Sequence, residues 1–274
     1  MGYKQKIAGF IGAATVAAVY SVPTMANVQT WNFNSSTQSF NNTSSGNTLT
    51  MTSSDGITLK ITGWSDTDDI TNAADKVETG KLIWATTNAL GIVNNDEDTT
   101  SPNHSVDSVR TNANDPDPDG EFDMLLLEFD TAVDLDGIDL AWAVGGNATD
   151  TVDVSILAYV GGSSTLLGNT WAQVLGAGGT AYDSVGNYNN VGLPYYAVNA
   201  TNVTSTKWLI GVYNPVFGAG GDAADDGLKL ASLTTTTTPT NPDPPKVPVP
   251  GTVALMLAGL LALRGRRSAG VVTR

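Results

Sequence analysis

Short apolar or alternating runs, each closed by glycine, asparagine or serine before a helix could complete a few turns, constrain this chain more than any other feature. They include VQTWNF (Val28–Phe33), TLTMT (Thr48–Thr52), ITLKITGW (Ile57–Trp64), MLLLEF (Met124–Phe129) and IDLAWAV (Ile138–Val144). VDVSILAYV (Val152–Val160), YYAV (Tyr195–Val198), KWLIGVY (Lys207–Tyr213) and LKLASL (Leu228–Leu233) continue the series. Several alternate polar and apolar residues, the period of a half-buried antiparallel strand. NNTSSGN, SSDG, VGGN and VGGSS supply turn chemistry between them. The expectation is an all-β fold, a β-sandwich of jelly-roll character. TNAADKVETGKLIWATTNAL, residues 71–90, is the one stretch read as able to hold a short helix.

The charge is distributed unevenly. All acidic residues lie between two terminal segments that contain only bases: Lys4 and Lys6 at one end, and Arg264, Arg266, Arg267 and Arg274 at the other. The body between them holds seven basic and twenty-seven acidic residues, a net charge of −20. Such a surface repels phosphate backbones, which excludes nucleic acid as a partner, and it favours soluble cations, calcium above all. The chain has no cysteine, so disulfides, thiolate metal sites and thiol catalysis are excluded.

Residues 1–26 read as a signal peptide. Two lysines precede an apolar run from Ile7 to Tyr20, Pro23 ends it, and Thr24-Met25-Ala26 places small residues at the cleavage positions. Signal peptidase is expected to cut after Ala26, leaving a surface domain at 27–233. A Thr/Pro-rich linker, 234–246, then leads to a terminal segment, 247–274. There, Pro248-Val249-Pro250-Gly251 is followed by an apolar stretch from Thr252 to Leu263 and an arginine cluster. Twelve helical residues rise only about 18 Å at ~1.5 Å each, short of a ~30 Å hydrocarbon core. The arginines behind it would stay cytoplasmic and the body outside. A short anchor of this kind suits transient attachment to the inner membrane.

The order Pro-x-Pro-Gly, apolar helix, arginine cluster resembles the PEP-CTERM sorting signal, with Val249 where that signal usually carries glutamate. The resemblance implies handling by exosortase, a transpeptidase-like enzyme of the Gram-negative inner membrane. Its motif residues here are Pro248, Val249, Pro250, Gly251, Arg264, Arg266 and Arg267. Between Trp84 and Val160, an Asn-His-x-x-Asp motif at 103–107, Leu-Leu-Leu-x-Phe and Asp-x-Ser-Ile-Leu-x-Tyr are similar to exosortase-dependent surface proteins. That resemblance implies a secreted surface or extracellular-matrix (biofilm) protein, with exopolysaccharide as a neighbour.

Three local features invite chemistry. Asp115, Asp117 and Asp119 before Gly120, with Glu121 beside them, open like a calcium loop. Twelve-residue counting puts Leu126 where the closing bidentate glutamate belongs. His104, the only histidine, stands near Asp107. With no G-x-S-x-G elbow and no second histidine, the pair is expected to order a loop and not to catalyse. Trp171, in LLGNTWAQVLGAGG, is the tryptophan expected to offer an exposed face to a sugar. The expectation is a non-enzymatic protein with no catalytic residue. A carbohydrate-binding module for exopolysaccharide is the alternative, and a polysaccharide hydrolase with paired carboxylates the second alternative.

Overall fold

The computed structural model describes residues 26–43, 46–67, 76–94, 104–108, 121–145, 148–176, 181–221 and 226–237. These belong to one compact unit, Ala26–Thr238. Its strands are β1 (Asn27–Asn32), β2 (Phe40–Thr43), β3 (Gly46–Thr52), β4 (Thr58–Thr67), β5 (Lys76–Thr86), β6 (Ala89–Val93) and β7 (Val106–Asp107). They continue as β8 (Asp123–Gly145), β9 (Ala148–Thr149), β10 (Thr151–Tyr159), β11 (Tyr182–Gly192), β12 (Tyr195–Ala197), β13 (Thr204–Val212) and β14 (Gly227–Thr237). A single helical turn, α1 (Trp171–Leu175), and a 3-10 turn at Pro215–Phe217 complete the described residues. Among them no helix is long and apolar enough to cross a membrane.

The all-β class is as expected, but the strands do not divide into two separate sheets. Hydrogen bonding links all fourteen, and β4, β5, β6, β14 and β8 close into a five-strand ring because β8 pairs with both β14 and β4. The reason is the length of β8. Its first half pairs with β4 from Asp123↔Ser65 to Phe129↔Leu59, and its second half with β14 from Asp134↔Thr236 to Val144↔Gly227. MLLLEF and IDLAWAV, expected as two strands, are therefore one strand of 23 residues. Met124–Leu127 are buried in succession, as in a strand covered on both faces.

Residues 76–86 of the stretch read as helical form β5. Val77, Gly80 and Leu82 are buried while Lys76 and Lys81 are exposed, and Gly80 sits in the ring opposite Gly63. A Cβ at Gly80 would lie 2.6 Å from Ile92 Cγ2. The two glycines thus leave the room that Ile92, fully buried, fills.

The linker boundary also moves. Thr234–Thr237 lie in β14 and are paired with β1, from Thr30↔Thr234 to Asn27↔Thr237. Thr235 is fully buried and accepts a hydrogen bond from the indole Nε1–H of Trp31 at 2.9 Å. A run of threonines reads as a spacer by composition, but β-branched side chains suit a pleated sheet.

One charged row crosses three strands. Glu128 of β8 is opposite Lys60 of β4 and Lys207 of β13, and its two oxygens lie 3.0 and 2.9 Å from the respective ammonium groups. Burial pushes its carboxyl up, but bonds and charges from Lys207 and Lys60 outweigh this and hold its pKa below the ordinary value. A depressed folded pKa means the stabilisation is full above the unfolded value and is lost as pH falls through the folded one. The stability of the wild type should therefore fall more steeply below about pH 4.5 than that of Glu128→Gln. Parallel curves in urea titrations across this range would rule out the contribution.

Candidate functional site at the acidic end of the ring

Buried carboxylates gather where the strands of the ring begin and end. Ser65 and Asp123 form the last rung between β4 and β8, and Asp107 and Gly227 a rung between β7 and β14. Asp66 is next to Ser65, and Glu121 precedes β8 by two residues. Asp66, Asp107 and Glu121 are each 7 % exposed, and Asp123 and Asp226 each 1 %.

Their hydrogen bonds explain why acids occupy such places. Where a ladder stops, backbone N–H groups lose strand partners, and a buried donor must find another acceptor. Phe122 N–H donates to Asp66 Oδ1 at 2.6 Å, Asp107 N–H to Asp123 Oδ2 at 3.4 Å, and Asp153 N–H to Asp226 Oδ1 at 3.1 Å. The amide of Asn94, just past β6, donates to Ser65 Oγ at 3.3 Å and to Glu121 Oε2 at 3.2 Å. Ser108 N–H donates to the carbonyl of Asp226 at 3.0 Å. These carboxylates act as tie points between strand ends.

The sequence-derived residues fare unequally. Glu121 belongs to this end, while Asp115, Asp117 and Asp119 lie outside the described residues. Among the described residues no three histidine, cysteine, aspartate or glutamate side chains form a group able to hold a metal ion. Asp107 is in the cluster and accepts the Ser105 hydroxyl at 2.7 Å. His104 itself is exposed, with a left-handed φ of 72°. Its backbone passes close over β6: a Cβ at Gly91 would lie 2.2 Å from His104 O, and Ile92 N–H donates to Ser105 O at 3.0 Å.

Trp171 is a correction. It is 2 % exposed and packs edge-on to Phe217 with centroids 5.8 Å apart. Thr170 caps the turn it opens in a reciprocal capping box with Gln173. It offers no sugar-stacking face. The sorting residues Pro248, Val249, Pro250, Gly251, Arg264, Arg266 and Arg267 lie outside the described residues.

Asp66, Asn94 and Asp226 had no motif to mark them, and Ser105 fell at an unspecified position of the Asn-His-x-x-Asp motif, since their roles depend on strand ends meeting in space. Ser105→Ala should cost about 1.5–3 kcal/mol, the range for a bond to a charged group, with the melting midpoint as the readout. An unchanged midpoint would remove Ser105 from the loop-ordering role.

Comparison with protein-family models, with curated proteins and with solved structures finds no match. What defines the molecule is its own architecture: an all-β domain closed through a five-strand ring, with buried acids tying the strand ends.

Proposed function

We propose that this chain is a secreted, non-enzymatic surface or extracellular-matrix protein of a Gram-negative bacterium. In this reading it is delivered by a signal peptide, held briefly at the inner membrane and processed by exosortase through a PEP-CTERM-like tail. The observation that carries the reading is where the domain starts and stops. β1 opens at Asn27, the residue after the expected cleavage point, and pairs Asn27 with Thr237, the last residue of β14. The side chains of Asn27 and Gln29 both donate to Asp55, so β1 is held from its first residue. A domain whose first and last described strands are paired with each other keeps that pairing when a leader is removed before Asn27 and a tail is cut beyond Thr237.

The non-enzymatic part of the proposal is supported by the buried acids, which serve backbone donors at the ring's end. A jelly-roll relationship belongs to the proposal too, supported by one long strand, β8, serving two groups of partners.

The test is the mass of the mature protein recovered from its host, fraction by fraction. A species starting at Asn27 and ending near Pro250, outside the inner membrane, is the expected result. A species that keeps Arg264–Arg274 in the membrane would overturn the sorting step. Purification with calcium and with chelator, compared by melting midpoint, tests the calcium dependence. A rise in calcium that Asp115→Asn with Asp117→Asn abolishes would support it, and identical midpoints would remove it.

A further inference from the structure

Three rows of side chains cross four adjacent strands, β12, β8, β14 and β1, in continuous register. The middle row, Tyr196, Ile138, Leu233 and Trp31, points into the core, with the last three at most 2 % exposed. Alternation then turns the rows on either side outward. One reads Tyr195, Asp139, Ser232 and Asn32, and the other Ala197, Gly137, Thr234 and Thr30. Within them Ser232 and Gly137 are buried and Asp139 and Thr234 half-buried; the exposed positions are Tyr195 and Ala197 on one side and Asn32 and Thr30 on the other. At ~4.8 Å between strands the face is about 15 Å across.

Tyr195 anchors one side of it. The hydroxyl end of its ring lies against Gly137, where a Cβ would come within 2.3 Å of its Cε2 and Oη, and its hydroxyl reaches the carbonyl of Asp136 at 3.5 Å. Half of the residue, 51 %, remains exposed. Across the sheet, Thr30 and Asn32 stand exposed on β1, with Thr234 half-buried beside them.

We infer that this face binds a neutral polysaccharide, with a pyranose ring stacked on Tyr195 and the chain running across the strands toward Asn32. The chemistry on the face selects that ligand. The electron-rich ring face attracts the C–H groups of a sugar, and the hydroxyls and amides beyond it can donate and accept, as sugar hydroxyls do. Anionic polymers are disfavoured, because Asp139 lies on the face and the body carries −20 overall. Because Gly137 already seats the ring, little side-chain freedom is lost on binding. The inference rests on the proposed function only for where the glycan comes from, and binding can be measured without reference to how the chain is sorted.

Native affinity electrophoresis of the full chain tests it, in gels containing hydroxyethylcellulose, galactomannan or dextran, with alginate as the anionic comparison. Retardation by at least one neutral polymer and none by alginate is expected. Tyr195→Ala should weaken it at least tenfold, and the double substitution Thr30→Ala with Asn32→Ala several-fold. The double variant alters exposed side chains on an outer strand, so it reports even if Tyr195→Ala fails to fold. The inference fails if no neutral polymer retards the chain, if alginate retards it equally, or if folded variants bind as the wild type does. It fails equally if retardation tracks self-association of the chain and not polymer concentration.

Discussion

Gly211→Ala is expected to lower stability by about 3 kcal/mol, the upper end of what a single added methyl costs in a packed interior. For a domain of this size that is roughly 6–12 °C in melting midpoint. Gly211 lies in β13 between two strands, opposite Met124 of β8 and Ser155 of β10. A Cβ there would fall 2.2 Å from Met124 Sδ and 2.1 Å from the carbonyl oxygen of Asp123. The thioether can swing aside. The carbonyl is backbone, and Asp123 is also the residue whose carboxylate receives Asp107 N–H, so moving it disturbs the acidic end of the ring. Gly192→Ala is the matched control. It is also a strand glycine, but its nearest neighbours to a new Cβ stand at 3.9 and 4.0 Å, and it should change stability by less than about 0.5 kcal/mol. Equal midpoints for the two variants would show that β8 yields freely beneath β13.

Period-two patterning was enough to locate β1, β3, β4, β10, β13 and most of β14, because those strands alternate or bury contiguous apolar runs within a single environment. Partnership was not legible. Nothing in MLLLEF or IDLAWAV says that the polar residues between them continue the strand. Asp134 and Asp136 can stay in it because Asn199 Nδ2 and Thr236 Oγ1 donate to their carboxylates at 2.5 and 2.6 Å. β11, YDSVGNYNNVG, was missed for a related reason. Its turn-like glycine and asparagines sit in a strand whose pairing with β10 shifts register twice, and Asn187 bonds outward to Ser155 and to the Gly218 carbonyl. Composition singled out Trp171 as the aromatic to be exposed, and the structure buries it while leaving Tyr195 half exposed. Trp171 packs inward against Phe217, while the hydroxyl end of Tyr195 rests in the space that a side chain at Gly137 would fill.

Asn47→Ala should be the most damaging change to a polar residue, costing about 2–6 kcal/mol, or ~1–3 for each of two buried backbone groups left without a partner. Asn47 is 4 % exposed and belongs to β3, yet it completes β5. Its Nδ2 donates to Leu82 O at 2.7 Å, and its Oδ1 accepts Leu82 N–H at 2.7 Å. β5 pairs with β4 only as far as Gly80, and the side-chain amide takes over as a substitute rung for Leu82. Only a group with one donor and one acceptor side by side can do this. Asn47→Asp has nearly the same shape but loses the donor and sets a carboxylate against the Leu82 carbonyl. At neutral pH it should be at least as destabilising as Asn47→Ala. Burial would raise the pKa of the new carboxyl, so its cost is present above the folded pKa and shrinks as pH falls through it. The gap between Asn47→Asp and wild type, read at each pH because the wild type itself weakens in acid, should narrow toward pH 4, while the gap for Asn47→Ala stays constant. If both gaps stay constant, the Leu82 pairing is not what Asn47 contributes.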